Sequence, residues 1–110
     1  MPAPYHGVSG RLLAKPGKGK ELLDILLDAA RGMETVPGCL CYIVGTDEIK
    51  PDTVHVYEVW TDAAAHRASL NMPVFQTLIE RARHIIAGME NDPDLRIHGG
   101  KASALRRTET

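Results

Sequence analysis

An α+β fold is predicted for this chain of 110 residues, with helices packed on one face of a four-stranded antiparallel sheet. Three observations predict it. Segments of alternating apolar residues and segments of helically spaced apolar residues follow one another in the order β-α-β-β-α-β. Pro- and Gly-containing turns separate them. Both faces of the predicted sheet are apolar, so each needs a cover. The order βαββαβ is that of the ferredoxin-like arrangement.

The size of the chain suits a single domain over residues 1–110, with a core over about 6–98 and a polar tail over 99–110. A formal net charge of -1 argues against nucleic-acid binding, which usually requires a basic surface. No apolar stretch is long enough to cross a membrane, and the N-terminus lacks the pattern of a signal peptide. Cys39 and Cys41 are the only cysteines, so a reducing cytoplasm is the expected location.

The first half of the chain predicts a strand, a helix and a second strand. Residues 6–15 alternate between apolar and other side chains and end at the turn that contains Pro16 and Gly17. Residues 19–34 carry apolar side chains at helical spacing, and Pro37-Gly38 ends this helix. Residues 39–46 are predicted to form the second strand.

The second half predicts a strand, a broken helix and a last strand. Residues 53–60 are rich in β-branched and aromatic side chains, which is typical of a strand. Thr61-Asp62 is a plausible N-cap for a helix that ends near residue 70. Because Pro73 cannot donate a backbone hydrogen bond, a second helical piece is predicted over 73–89. Residues 94–98 are predicted to be the fourth strand.

The sheet face away from the helices is too apolar to meet water. Tyr57 and Val59 alternate to one face of the third strand, opposite Val54 and Val56, and Ile43 lies on the second strand. Large exposed apolar faces usually mark interfaces. A symmetric homodimer is therefore predicted to cover this one.

Four segments, in this order and at these separations, resemble the antibiotic biosynthesis monooxygenase (ABM) domain. They are the Lys15-Pro16-Gly17 turn, the run that begins Pro37-Gly38-Cys39-Leu40 and ends at Tyr42, the Tyr57-Glu58-Val59-Trp60-Thr61-Asp62 segment, and the helix start Ala65-His66-Arg67-Ala68-Ser69-Leu70 followed by Pro73. The resemblance covers roughly residues 6–98. It implies a dimeric α/β barrel, in which two four-stranded sheets face each other.

The resemblance also implies an activity. Members of this family include monooxygenases that need no metal or flavin and act on hydroquinones and polycyclic phenols. The partners expected here are therefore O2, a small quinol-like aromatic substrate and a second copy of the chain, with no cofactor. Haem-degrading oxygenases, isomerases of small carbonyl compounds and members without known activity share the same fold.

The resemblance places a substrate pocket between the sheet and the helices. In the branch that oxidises anthrones, Asn and Trp lie four residues apart on the third strand, where this chain has Val56 and Trp60. A pocket Tyr of that branch corresponds to His66, and many members have His at the position of Ser69. Together with Tyr42, these positions are the expected substrate contacts.

A base for removing a phenolic proton is the chemical requirement of such a reaction. Glu58 and Trp60 are two residues apart on a strand, so their side chains share a face, and His66 follows on the next helix. His66 titrates near neutral pH, and Glu58 would do so if burial raised its pKa. Both are predicted catalytic residues, with either as the base. Trp60 would stack on an aromatic ring.

Structural roles are the alternative for each of these residues. Trp60 and Tyr42 would then be packing residues, Glu58 would form a salt bridge and His66 would be a partly exposed helix residue. The five histidines and two cysteines show no metal-ligand spacing, so no metal site is predicted. A non-catalytic dimeric module that binds a small ligand, or a small-carbonyl isomerase, are the alternative functions.

Overall fold

Five strands and three helices make up the described part of the chain, residues 4–102 of this computed structural model. Residues 103–110 of the predicted tail lie outside it, and residues 99–102 have no regular structure. The elements are β1 (Tyr5–Ala14), α1 (Gly19–Gly32), a 3-10 turn (Met33–Thr35), β2 (Cys39–Thr46), β3 (Thr53–Trp60), α2 (Ala63–Ser69), α3 (Pro73–Ala82), β4 (Ile86–Asn91) and β5 (Leu95–Ile97).

The sheet is antiparallel throughout, in the order β2-β3-β1-β4, with β5 also paired to β1. This is the predicted ferredoxin-like fold with one additional strand. In the pairing of β1 with β3, His6 lies opposite Trp60, Val8 opposite Glu58 and Gly10 opposite Val56. Directly opposed residues share a face, so these side chains lie on one side of the sheet.

The main core lies between this face and the helices. Leu22 and Leu26 of α1 pack with Val54 and Val56 of β3 and with Leu78 of α3. Leu22 and Val54 have no exposed surface. The apolar stripe of α1 and the alternation of β3 therefore meet as their spacing predicts. Among the described residues, no helix is both long and apolar enough to span a bilayer.

The predicted helix over 73–89 is wrong in its second half. α3 ends at Ala82, a turn follows, and residues 86–91 form β4 along the edge of β1. Ile85 and Met89 do fall at helical spacing from Ala82, which misled the prediction. The edge of β1 would otherwise present unpaired backbone N–H and C=O groups, and pairing with β4 satisfies them.

The predicted strand over 94–98 exists as the short β5, which pairs with residues 5–7 of β1. β4 and β5 lie along the same edge of β1 and are separated by Asp92-Pro93-Asp94. Pro93 has no N–H to donate to a ladder, which is consistent with a break there. This break places Asp94 beside the start of β1.

The start of α2 is held by two local features. The side chain of Asp62 accepts a hydrogen bond of 2.8 Å from the backbone N–H of Ala65, so the predicted N-cap is confirmed. Gly38 has a φ of +89°, and a Cβ there would lie 2.8 Å from Cβ of Ala65. Only glycine permits this backbone and this close approach. α2 is thereby fixed next to the end of β3.

Candidate functional site

A cavity of about 360 Å³ lies between the sheet and the helices α2 and α3. Its apolar wall consists of Val8, Met33, Leu70, Phe75 and Met89. Its polar groups are Tyr42, Glu58, His66, Ser69, Asn91 and Asp94. A mainly apolar pocket with a few convergent polar groups is the usual form of a small-molecule site.

Glu58 and Trp60 are joined by a hydrogen bond at the end of β3. The indole Nε1–H of Trp60 donates to Oε1 of Glu58 at 2.9 Å. Their two-residue separation on a strand puts both side chains on one face, as predicted. Trp60 has no exposed surface and lies behind Glu58, away from the cavity wall. The indole therefore orients the carboxylate that faces the cavity.

The environment of Glu58 favours its neutral form more than water does. Burial raises the pKa of this carboxyl group, the hydrogen bond from Trp60 opposes the rise, and the charge of Asp94 adds to it. The side chain is 16% exposed. A carboxyl group with a raised pKa can hold or release a proton closer to neutral pH than an ordinary glutamate.

His66 projects from α2 toward the same carboxylate. Its Nε2 lies 3.9 Å from Oε1 of Glu58, and its ring centre is 5.6 Å from that of Trp60. This distance is longer than a hydrogen bond. A bridging water or substrate oxygen, or a small movement of either side chain, would connect the two groups. Burial, with the charge of His6 second, lowers the pKa of His66. The imidazole is therefore mainly neutral at pH 7 and able to accept a proton.

His6 and Asp94 form a second pair beside His66. Nε2 of His6 lies 3.0 Å from Oδ2 of Asp94, within hydrogen-bond distance, and the two imidazole rings are 5.9 Å apart. The sequence alone does not reveal this pair, because His6 and Asp94 are 88 positions apart. The pairing of β1 with both β3 and β5 brings them together. The alternation of β1, with His6 two residues before Val8, was the available signal for His6.

The other predicted substrate contacts occupy different parts of the pocket. Tyr42 lies on β2 opposite Glu58 and lines the cavity; burial raises the pKa of its phenol, which stays protonated. Ser69 also lines the cavity, and its hydroxyl donates to the carbonyl of His66 at 2.6 Å. Val56 is buried in the core, deeper along β3. The structure thus brings Glu58, His66, Tyr42 and Ser69 together.

Asn91 is a further pocket residue that sequence reasoning missed, because it falls in the segment wrongly predicted as helix. It lies opposite Gly10 in the pairing of β1 with β4. A Cβ on Gly10 would lie 3.0 Å from Oδ1 of Asn91 and 2.6 Å from the backbone oxygen of Glu90. Glycine at this position therefore leaves room for the amide of Asn91 in the pocket.

A larger concavity, of about 420 Å³, lies at the edge formed by α1 and β2. Its charged groups, Arg31 and Glu34, are exposed side chains on the surface. The convergent, partly buried titratable groups belong to the cavity beside α2, which makes that cavity the candidate site. Within residues 4–102, no group of three or more His, Cys, Asp or Glu side chains is arranged to hold a metal ion.

The family of the chain follows from comparison with known proteins. The family model described as antibiotic biosynthesis monooxygenase matches residues 6–81. The chain belongs to the ABM family. No curated protein shows a significant match to the chain.

Several solved structures have the same fold as this chain. A protein from Chloroflexus aurantiacus, described as a candidate antibiotic biosynthesis monooxygenase, is 34% identical; the match covers 89% of this chain and 97% of that one, with a TM-score of 0.80. A Caulobacter crescentus protein of similar description is 22% identical over 86% of this chain and 91% of its own, with a TM-score of 0.77. At that identity the likeness shows the fold alone. A Nitrosomonas europaea protein of unknown function is 21% identical over 93% of this chain and 97% of its own, with a TM-score of 0.78.

Proposed function

We propose that this ABM-family protein is a cofactor-independent monooxygenase that oxidises a small quinol or phenolic substrate with O2. The observation that carries the proposal is the arrangement of His66 and Glu58, 3.9 Å apart and each less than a quarter exposed, at the wall of a mainly apolar cavity. An aromatic ring fits such a wall, and a hydroxyl on that ring would meet a base.

The reaction needs a substrate that supplies all the electrons. For a hydroquinone, one oxygen atom of O2 enters the ring and the other leaves as water, while the ring becomes a hydroxyquinone. The hydroquinone gives up the four electrons that O2 accepts. Deprotonation comes first, because the anion reduces O2 more readily than the neutral phenol. The apolar wall would protect a peroxide intermediate from water.

His66 is the base in this proposal, and Glu58 assists it. The lowered pKa of His66 keeps its imidazole neutral at pH 7, so that it can take the phenolic proton. The imidazolium that results would be stabilised by the carboxylate of Glu58, itself oriented by Trp60. Tyr42, with its protonated phenol, would donate a hydrogen bond to a substrate oxygen. Trp60 acts in this arrangement through Glu58.

A homodimer is part of the proposal, formed through the sheet face away from the helices. Ile43 and Tyr57 lie directly opposite each other on that face and are 58% and 36% exposed. Apolar side chains of this size in a cross-strand pair favour burial by a second copy. Sedimentation at micromolar concentration tests this: a dimer is expected, and a monomer would contradict the proposed assembly. The free thiols of Cys39 and Cys41 are consistent with a cytoplasmic location.

Oxygen uptake with a panel of hydroquinones tests the activity. The wild-type protein is expected to consume O2. His66→Ala should lower kcat by about 100-fold or more, which is the usual contribution of a positioned base. His84→Ala is the matched control, because His84 is an exposed histidine in the turn after α3. If His66→Ala consumes oxygen at the wild-type rate, the base assignment is wrong. If no hydroquinone supports uptake, the monooxygenase proposal fails and the result favours the non-catalytic ligand-binding module.

A further inference from the structure

A second compartment extends the candidate cavity between β1 and α3. Its volume is about 100 Å³, and its apolar wall is formed by Leu12, Leu26, Val56, Leu78 and Ile79. It shares Val8, Tyr42, Glu58, Phe75, Met89 and Asn91 with the cavity of about 360 Å³. These shared residues make the two spaces parts of one elongated site.

The polar groups are concentrated at one end of this elongated site. Only the larger cavity is lined by His66, Ser69 and Asp94. The junction of the two spaces is lined by Glu58, Tyr42 and Asn91. Beyond them, the side chains that face the second compartment are aliphatic or aromatic.

Ser9 and Arg11 also border the second compartment, but they occupy strand positions that alternate to the opposite face. The guanidinium of Arg11 pairs there with Glu90, at 2.8 Å. The hydroxyl of Ser9 donates to Asp92 at 3.2 Å. Neither side chain therefore adds polarity to the compartment.

The size of the second compartment restricts what can enter it. An apolar protein cavity of about 150 Å³ holds one benzene ring. A space of about 100 Å³ is too small for a further ring and suits a short aliphatic chain. Because no charged side chain faces the compartment beyond the junction at Glu58, a polar substituent would lose its hydration there without a replacement partner.

We propose that the substrate is a phenol or hydroquinone with a short alkyl substituent, whose ring hydroxyl lies beside Glu58 and His66 and whose alkyl chain enters the compartment between β1 and α3. This rests on the proposed function for the nature of the ring. The compartment itself determines the substituent.

Calorimetric binding of 4-alkylphenols tests the substituent without any turnover. The probes are phenol and its 4-methyl, 4-ethyl, 4-propyl, 4-butyl and 4-hexyl derivatives, titrated into the full-length protein without O2. The Kd should fall roughly threefold to fourfold for each buried methylene, as expected from its transfer from water. The fall should stop once the chain reaches the end of the compartment.

Two substitutions locate the alkyl chain. Ile79 lines only the second compartment and is 38% exposed, so a larger side chain is tolerated there. Ile79→Phe should reduce the ratio of the phenol and 4-butylphenol Kd values toward one, and Ile79→Ala should let the gain continue to longer chains. Ile49→Phe is the matched control, because Ile49 is 87% exposed and borders neither compartment. It should keep the wild-type ratio.

Several results would overturn the inference. For the wild type, they are a Kd that does not change with chain length, an affinity that keeps rising through 4-hexylphenol, or no measurable binding of any probe. For Ile79→Phe, the contradicting result is a ratio of the phenol and 4-butylphenol Kd values equal to that of the wild type. The proposed function fails separately. If the alkylphenols bind as expected but no alkylhydroquinone supports oxygen uptake, the ligand class stands and the monooxygenase assignment does not.

Discussion

Replacement of Trp60 by Phe removes the hydrogen bond that the indole donates to the carboxylate of Glu58. The indole donates to Oε1 at 2.9 Å, and Trp60 has no exposed surface. A hydrogen bond to a charged group contributes about 1.5–3 kcal/mol to stability, and the smaller ring adds a packing loss. We therefore expect Trp60→Phe to lower the free energy of unfolding by more than the packing loss alone.

The pH dependence separates the hydrogen bond from the packing loss. The bond from Trp60 lowers the pKa of Glu58, so it stabilises the ionised carboxylate more than the neutral acid. Its loss should therefore cost most above the raised pKa of Glu58, and less as the pH falls through that value and the group becomes protonated in the folded state. The packing loss does not depend on pH.

Urea denaturation followed by circular dichroism measures these differences at one fixed protein concentration. A double-mutant cycle with Glu58→Leu isolates the pair, because leucine has a similar size but cannot accept the hydrogen bond of the indole. We expect a coupling of about 1.5–3 kcal/mol at pH 8, which becomes smaller as the pH falls through the raised pKa of Glu58. A coupling near zero at pH 8, or one that stays constant as the pH is lowered until the protein unfolds, would refute the claim that Trp60 orients an ionised Glu58.

Three further predictions concern the surroundings of the site. His6→Gln should raise the pKa of His66, because the charge of His6 contributes to the lowering of that pKa. The acid limb of the pH profile of kcat/KM should therefore move to higher pH. An unchanged acid limb would mean that the two imidazoles are not coupled. Asp62→Ala removes the N-cap of α2 and should cost about 0.5–2 kcal/mol in urea denaturation, with no loss contradicting the cap. Gly38→Ala should cost about 1–2 kcal/mol because its φ is +89°, whereas Gly45→Ala, which meets no atom within 4 Å, should not show this backbone penalty.

The sequence predicted the parts of the fold that depend on local pattern. The strands β1, β2 and β3 and the helices α1 and α2 appear within a few residues of the expected bounds, because their apolar spacing and turn residues act locally. The prediction of helix over 83–91 was wrong for a non-local reason. Apolar residues continue at helical spacing past Ala82, but residues 86–91 pair with the edge of β1 and form a strand.

The residues of the candidate site likewise divide into those predictable from local pattern and those brought together only by strand pairing. Glu58 and Trp60 were predictable as neighbours, since a strand places positions two apart on one face, and His66 follows at the start of the next helix. His6 and Asp94 join them only through the register of β1 with β3 and β5. Asn91 enters the pocket only because β4 replaces the expected helix. Pairing register is a property of the assembled sheet, which a single strand's pattern does not specify.

Isotope labelling tests whether this chain inserts an oxygen atom from O2 into a quinol, as proposed. The wild-type protein is incubated with an alkylhydroquinone under 18O2, and the product is analysed by mass spectrometry beside the His66→Ala variant. The wild-type protein should form a hydroxyquinone that carries one 18O atom, and the variant should form it much more slowly. A product without the label, or equal labelling without protein, would contradict the proposal.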